Sequence, residues 1–172
     1  WTSSPTSTSA TASTLGDATY YWHVRSRDAA GNWSAYSASR TVQVDGTAPT
    51  GNSILIAGGA AYTTSTSVTL TLASTGASKM KFKEELGGTW TTYEKYANSK
   101  SWTLANTQGT KTVYVMFKDS AGNETSAYGD TIVFDSVAPS VPALSSPSNG
   151  TYTNDTTPAF SWNASTGTPT QY

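Results

Sequence analysis

The sequence predicts an all-β protein made of tandem β-sandwich modules, and three observations support that prediction. The first is a repeated phrase in which alternating apolar residues lead to Asp-x-Ala-Gly-Asn, and a second apolar run leads to Asp and then Ala-Pro. It occurs in residues 20–49 and again in residues 113–139. The second is the spacing, because Pro49 and Pro139 lie 90 residues apart, close to the length of about 100 residues of one sandwich. The third is a polar composition dominated by Ser, Thr, Gly, Asn and Tyr, which favours strands and tight turns over helices.

Alternating apolar residues predict each strand of a complete central module, residues 49–138. Successive side chains of a strand point to opposite faces, so apolar residues two apart mark one buried face. The last two strands follow from aligning Asp45 with Asp135 and Asp28 with Asp119. In chain order, the expected strands contain Ile54 and Ile56; Val68, Leu70 and Leu72; Met80 and Phe82; Trp90 to Tyr96; Trp102 and Leu104; Val113, Val115 and Phe117; and Ile132 and Phe134.

The two ends of the sequence hold partial modules. Residues 1–48 contain only the closing strands of a module, and residues 139–172 contain only opening strands. A half sandwich leaves an apolar face and unpaired strand edges in water. Two explanations stay open: the polypeptide continues in both directions, or a neighbouring subunit supplies the missing strands. The expected buried positions of the first part are Trp22, Val24, Ser26, Val42 and Val44, and the expected strands of the last part are residues 142–144 and 157–162.

Composition excludes several classes of function. The formal net charge is −1 and only 12% of the 172 residues are charged, so the chain lacks the basic surface that binds nucleic acid or anionic membranes. Cysteine is absent, which excludes disulfides and thiolate metal sites. No apolar run approaches the roughly 20 residues that cross a bilayer, so membrane insertion is not expected.

The repeated Asp-x-Ala-Gly-Asn motif predicts a tight turn between the last two strands of each module. Gly31 and Gly122 can adopt positive φ there without strain at Cβ. Asp28 and Asp119 can accept hydrogen bonds from backbone N–H groups of the turn. The principal interpretation of the motif is therefore structural.

Calcium binding is the alternative interpretation of the same motif. In a seven-stranded sandwich this turn lies at the pole where the chain enters, so Asp45 should approach Asp119 and Asn123. Two carboxylates, an amide oxygen and backbone carbonyls would suit calcium, which takes 6 to 8 oxygen ligands. The chain is poor in carboxylates, however, and Gly46 stands where a further ligand could lie.

Aromatic residues outside the expected core suggest a second kind of site, for carbohydrate. Flat rings on a sandwich surface can stack on sugars, but isolated exposed aromatics are also ordinary. Trp22, Trp102 and Trp162 are instead expected to pack in cores. The candidate platform residues are Trp33, Trp90, Tyr93 and Tyr96, with Tyr36 and Tyr128 nearby.

No catalytic residue is predicted. His23 is the only histidine and is expected to point outward, and no nucleophile elbow accompanies it. Glu84 and Glu85 are adjacent, so they would point to opposite faces of a strand; with Gly-Gly following, they are interpreted as a solvated loop. Five asparagines match the N-glycosylation sequon, which matters only in an organism that glycosylates its surface proteins. They are Asn32, Asn123, Asn149, Asn154 and Asn163.

Parts of the sequence resemble known families of surface repeats. The stretches YYWHVRSRDAAGNWSAYS and SSPSNGTYTNDTTPAFSWNAS resemble fibronectin type III-like repeats of large bacterial and archaeal surface proteins. The stretches AAYTTSTSVTLTL, YANSKSWTL and GTKTVYVMFKDSAGNETSAYGDTIVFDSVAP resemble bacterial Ig-like repeats. The resemblance implies tandem immunoglobulin-like and fibronectin type III-like β-sandwiches. Residues 1–48 would end one fibronectin type III-like module, residues 49–138 would be a complete Ig-like module, and residues 139–172 would begin a further fibronectin type III-like module.

The resemblance also implies a function outside the cell without catalysis. Such repeats act as spacers, stalks, surface layers, sheaths or filaments, and their partners are neighbouring repeats or identical subunits. No cofactor is required, although some related adhesin repeats bind calcium at module junctions. Two alternatives stay open: an adhesive or carbohydrate-binding module, and a linker within a secreted enzyme.

Overall fold

The computed structural model describes residues 6–85, 87–167 and 171. Residues 1–5, 168–170 and 172 of the predicted partial modules lie outside the described residues. The all-β prediction is confirmed, since the regular secondary structure of the described residues consists of strands and one short 3-10 turn, Ala57–Gly59. No helix in this part of the chain is long and apolar enough to cross a membrane. The strands are β1 Ala18–Trp22, β2 Arg40–Val44, β3 Thr50–Ile56, β4 Tyr62–Thr63, β5 Ser67–Thr75, β6 Lys79–Glu84, β7 Glu94–Lys95, β8 Ser99–Thr103, β9 Gly109–Lys118, β10 Tyr128–Phe134, β11 Ala143–Ser146 and β12 Ser161–Asn163.

Strands β3 to β10 form two sheets that share one apolar core. One sheet has five strands in the order β4, β10, β9, β6, β7, and the other has three in the order β3, β5, β8. Period-two alternation turns one row of side chains of each strand inward, as the sequence predicts. Leu70 of the smaller sheet and Phe82 and Val115 of the larger sheet are fully buried. The arrangement is sandwich-like, with a core made of Ile54, Ile56, Val68, Leu70, Leu72, Met80, Phe82, Leu104, Val113, Val115, Phe117 and Ile132.

Two local predictions for this module are wrong. The strand expected across residues 90–96 is confined to Glu94–Lys95, because the N–H of Phe82 in β6 bonds to the side-chain hydroxyl of Thr91 at 3.0 Å instead of to a backbone carbonyl. Glu84 does not lie in a solvated loop. It ends β6 and accepts hydrogen bonds from the Ala105 backbone N–H at 2.9 Å and from the Trp102 indole at 3.4 Å. This carboxylate thus connects the two sheets.

The first and last parts of the chain each form an antiparallel pair of strands, β1 with β2 and β11 with β12. The expected burial of Trp22, Val24, Ser26 and Val42 is wrong for the described residues: Trp22 is 49%, Val24 59% and Val42 46% exposed, and Ser26 is also exposed. Trp162, another expected core residue, is 46% exposed. A strand face is buried only when a second layer covers it, and within residues 6–85, 87–167 and 171 each of these sheets has two strands.

The chain enters and leaves the central module at opposite poles. Asn52, near the start of β3, donates a hydrogen bond to the hydroxyl of Tyr128, the first residue of β10. Phe134, the last residue of β10, pairs with Thr63 of β4. The residues that precede Thr50 and those that follow Phe134 therefore join the sandwich at its two opposite ends.

Candidate functional site

The turn of the second Asp-x-Ala-Gly-Asn motif is closed by its own aspartate. The Asp119 carboxylate accepts hydrogen bonds from the backbone N–H groups of Gly122 at 2.7 Å and Asn123 at 2.9 Å. Gly122 has φ of 109°, a conformation that L side chains rarely adopt. Burial acts to raise the pKa of Asp119, but the hydrogen bonds from Asn123 and Gly122 outweigh it and hold that pKa below its usual value.

The first copy of the motif adopts the same turn. Asp28 accepts hydrogen bonds from the Asn32 backbone N–H at 2.8 Å and from its side-chain amide at 3.0 Å. These bonds lower the pKa of Asp28. Gly31 has φ of 95°. One motif therefore builds one structure in both places, as the sequence predicts.

Asn123 connects this turn to the segment that follows the first strand pair, β1 and β2. Its side-chain amide donates to the backbone carbonyl of Asp45 at 2.9 Å and to the Asp119 carboxylate at 2.9 Å. Asp45 in turn accepts a hydrogen bond from the Thr47 N–H at 3.1 Å. The three residues nominated as calcium ligands thus lie together at the junction, joined by hydrogen bonds. A cleft of about 170 Å³ beside them is lined by Asp45, Thr47, Ala48, Pro49, Thr50, Thr75, Gly76 and Asp119.

The hydrogen bonds at this junction bear on whether calcium can bind there. Asn123 presents its amide nitrogen to Asp45, and the Asp119 oxygens already accept hydrogen bonds from the turn. No group of three or more His, Cys, Asp or Glu side chains suited to a metal occurs among the described residues. Calcium binding at Asp45, Asp119 and Asn123 stays a prediction.

A second connection at the module exit was not predicted from the sequence. The Asp17 carboxylate accepts hydrogen bonds from the Gly46 N–H at 2.7 Å and from the Thr47 hydroxyl. The hydroxyl of Thr47 and the N–H of Gly46 lower the pKa of Asp17. At the matching exit of the central module, Gln108 bonds Ser136 twice, accepting from its N–H at 2.9 Å and donating to its hydroxyl at 2.8 Å. The sequence signal for these bonds is the position of the two residues: Asp17 and Gln108 each directly precede the strand that pairs with the exit strand.

Among the proposed carbohydrate-binding residues, Trp33 lies in the first hairpin. Trp33 is 49% exposed, and the Arg25 guanidinium lies 4.1 Å from the centroid of its ring. Tyr36, 56% exposed, lies 4.8 Å from the same guanidinium. His23 meets the edge of Tyr36 at 4.3 Å. This exposed set belongs to the outward side of the hairpin, where His23 was expected.

The other three aromatic candidates lie in the central module. Trp90 and Tyr93 are half-buried beside Lys81, whose ammonium lies 5.5 Å and 4.6 Å from their ring centroids. Burial, together with the nearby Glu124 carboxylate, raises the pKa of Tyr93. Tyr96 packs against Phe117 in the core at 5.9 Å. The four residues therefore do not share one surface in the described structure.

The remaining predicted residues are distributed along the chain. Asn32 and Asn123 use their amide groups within the turns, whereas Asn149, Asn154 and Asn163 are exposed. No protein-family model and no curated protein sequence matches this chain.

Proposed function

We propose that this chain is a non-catalytic, extracellular structural segment, acting as a semi-rigid spacer or as a building block of a stalk, surface layer, sheath or filament. In this proposal residues 49–138 are an Ig-like sandwich, and residues 1–48 and 139–172 belong to fibronectin type III-like modules. The partners are neighbouring repeats of the same polypeptide or identical subunits. The resemblance of the repeated phrases supports the family assignment.

The observation that most supports the proposal is the connection between one module and the next. The Asn123 side chain crosses the junction to Asp45. The Asp17 carboxylate, just before β1, accepts a hydrogen bond from the N–H of Gly46, just after β2. Pro49 completes the junction, because proline fixes its own φ and restricts the residue before it to extended conformations. A junction held in this way limits the reorientation of neighbouring modules.

The points at which the chain enters and leaves the central module support an axial arrangement of modules. The central module receives the chain at one pole and releases it at the other. Strand β9 has 10 residues, or about 33 Å at roughly 3.3 Å per residue. Each added module should therefore lengthen the molecule by about 33 Å.

Small-angle scattering of a chain with residues 49–138 duplicated tests the proposal. In that variant Pro49 of the second copy follows Ala138 of the first, which reproduces the Ala48–Pro49 sequence. The maximum dimension should rise by about 33 Å. The matched control has the same length, with residues 135–138 between the copies replaced by Gly and Ser, and should give a smaller average increase. Equal increases in both variants, or none, would contradict a stiff junction.

Carbohydrate binding is a second candidate, favoured by the exposed Trp33 and Tyr36 beside Arg25. The two rings could stack on a sugar, and the guanidinium beside them could donate hydrogen bonds to it. Affinity electrophoresis in gels containing soluble polysaccharides tests this candidate. Trp33→Ala should abolish any retardation, while Trp90→Ala, at a half-buried position, should leave it unchanged. Unretarded migration of the parent chain in every polysaccharide would count against the site.

A further inference from the structure

The outer face of the larger sheet carries three lysines directly opposite one another. Lys79 of β6 pairs with Lys95 of β7 on one side and with Lys118 of β9 on the other. Opposite residues of an antiparallel pair place their side chains on the same face of the sheet. That face is the outer one, because the neighbouring residues Met80 and Phe117 are buried in the core. The three lysine side chains therefore lie side by side across three neighbouring strands.

Lys81 adds a fourth ammonium group to this face. It lies two residues after Lys79 in β6, so the two side chains leave the strand on the same side. Neighbouring strands lie about 4.8 Å apart and residues two apart in a strand about 7 Å apart, so the four lysines occupy a patch of about 10 Å by 7 Å. We call Lys79, Lys81, Lys95 and Lys118 the lysine face.

Glu124 supplies a carboxylate to the lysine face. It pairs with Lys118 in an isolated antiparallel bridge, which extends the row of opposed residues by one position. Its carboxylate lies 3.1 Å from the Lys118 ammonium and 3.6 Å from the Lys81 ammonium. Two of the four lysines therefore share one carboxylate.

The other two lysines have no such partner. Neither Lys79 nor Lys95 forms an ion pair within residues 6–85, 87–167 and 171. Glu94, next to Lys95 in sequence, is paired with Lys100 at 2.7 Å instead. Four ammonium groups and one carboxylate leave three uncompensated positive charges on this face, in a chain whose formal net charge is −1.

Tyr93 holds two of the ammonium groups in place. The centroid of its half-buried ring lies 4.6 Å from Lys81 Nζ and 5.2 Å from Lys118 Nζ. The electron-rich face of an aromatic ring attracts an ammonium group. Side chains that are already held lose less conformational freedom when they bind a ligand. Lys79 and Lys95 are exposed, so an anion can reach them from solvent.

We propose that the lysine face binds an acidic polysaccharide, a polymer with a carboxylate on each sugar ring. Like charges directly opposite each other destabilise a sheet, and a feature that costs stability without a structural return is expected at a functional site. Here the feature is the row of Lys95, Lys79 and Lys118. The binding function adds to the spacer function and does not rest on it.

Charge complementarity selects this class of partner. A linear polymer of uronic acids repeats one carboxylate per ring, a spacing similar to that between neighbouring strands. Successive carboxylates can therefore meet successive lysines of the row. Double-stranded DNA is a poorer match, because it carries one charge per about 1.7 Å and is bound through many phosphate contacts. A face about 10 Å across, on a chain of negative net charge, neutralises few of them.

Calorimetric titration of the complete 172-residue chain with polygalacturonate tests the inference. Binding is expected at low salt and should weaken as salt is added, because ions screen contacts between exposed charges. The fully methyl-esterified polymer is the matched ligand control, since it has the same backbone without the charge. It should not bind. Double-stranded DNA of the same total charge should bind more weakly than polygalacturonate.

Single substitutions locate the site. Lys79→Gln and Lys95→Gln should each weaken binding of polygalacturonate about two- to fivefold, the effect of losing one exposed ion pair. Arg40→Gln is the control, because it removes the same charge from an exposed position in β2. It should bind like the parent. The melting temperature of Lys79→Gln should not fall, because the substitution removes repulsion between opposed lysines, so its weaker binding cannot be attributed to unfolding.

Trp33→Ala distinguishes the lysine face from the exposed aromatic residues of the first hairpin. Binding through the lysine face should survive this substitution. Its loss would assign polygalacturonate to the hairpin and overturn the inference.

Three other results would also overturn it. The first is a parent chain that does not bind polygalacturonate at low salt. The second is equal binding by Lys79→Gln and Arg40→Gln, which would show that position on the lysine face does not matter. The third is DNA binding as tight as polygalacturonate binding, which would indicate a nonspecific attraction to polyanions. None of these results bears on the spacer function, which the scattering of the duplicated chain tests separately.

Discussion

Replacing Asn123 with alanine should loosen the junction between the first hairpin and the central module. The substitution removes two hydrogen bonds of 2.9 Å, one to the Asp45 carbonyl across the junction and one to Asp119 within the turn. Asn32→Ala is the matched control, because Asn32 makes the equivalent turn bond to Asp28 at 3.0 Å. The difference between the two variants isolates the bond across the junction. At about 1 kcal/mol for one hydrogen bond, its loss should raise the ratio of open to closed junctions about fivefold.

Distances between spin labels on the two sides of the junction provide the assay. The chain has no cysteine, so Tyr21→Cys and Leu55→Cys, at positions 75% and 45% exposed, give two unique labelling sites. Pulsed electron resonance should show a narrow distance distribution for the parent and a broader one after Asn123→Ala. Asn32→Ala should leave the distribution narrow. If both alanine variants match the parent, the bond to Asp45 does not set the orientation of the modules and the argument for a stiff junction fails.

Three further results are expected of the central module and its junction. The folded-state pKa of Asp119 lies below its ordinary value of 3.8, so its contribution to stability is complete above that pH and is lost as the pH falls through the folded-state pKa. Denaturant midpoints measured down the acid range should therefore fall less for Asp119→Asn than for the parent. Phe82→Ala, at a fully buried position, should lower the free energy of unfolding by about 3 to 5 kcal/mol, whereas Leu55→Ala, at a partly exposed position, should cost under about 1 kcal/mol. Excess calcium should leave the melting temperature unchanged, because hydrogen bonds already occupy the Asp119 oxygens; a rise that Asp45→Asn abolishes would instead establish the calcium site.

The strands of the central module could be predicted because their alternation is regular. Val68, Leu70 and Leu72 repeat with period two, and all three are buried. Lys111 shows where this signal ends: it lies on the inward row of β9 and is 6% exposed, with its ammonium 2.5 Å from the Thr107 hydroxyl. A hydropathy pattern assigns a lysine to the surface, whereas the long side chain can extend to a polar partner at the end of the strand.

The candidate site at the junction was predictable in part. The repeated motif predicted that Asp119 and Asn123 share one turn. The strand order expected for a sandwich predicted that this turn approaches Asp45. The bonds from Asp17 and Gln108 were not foreseen. They depend on the register between two strands distant in sequence, and neither residue type repeats between the copies. The exposure of Trp22 also required the structure, because alternation identifies an apolar face without showing whether anything covers it.

The chain enters and leaves the central module at opposite poles, and this determines how the module resists stretching. A pull along the polypeptide draws β3 toward one pole and β10 toward the other, so β4, which follows β3, slides against its parallel partner β10. The bonds from Val133 to Ala61 and from Asp135 to Thr63, each 3.0 Å, lie across the direction of that sliding. The Asp130 carboxylate holds the Ile56 N–H beside them at 2.7 Å. Because sliding strains these bonds together and not one after another, we expect a module pulled in this way to keep its shape until it unfolds suddenly as a whole.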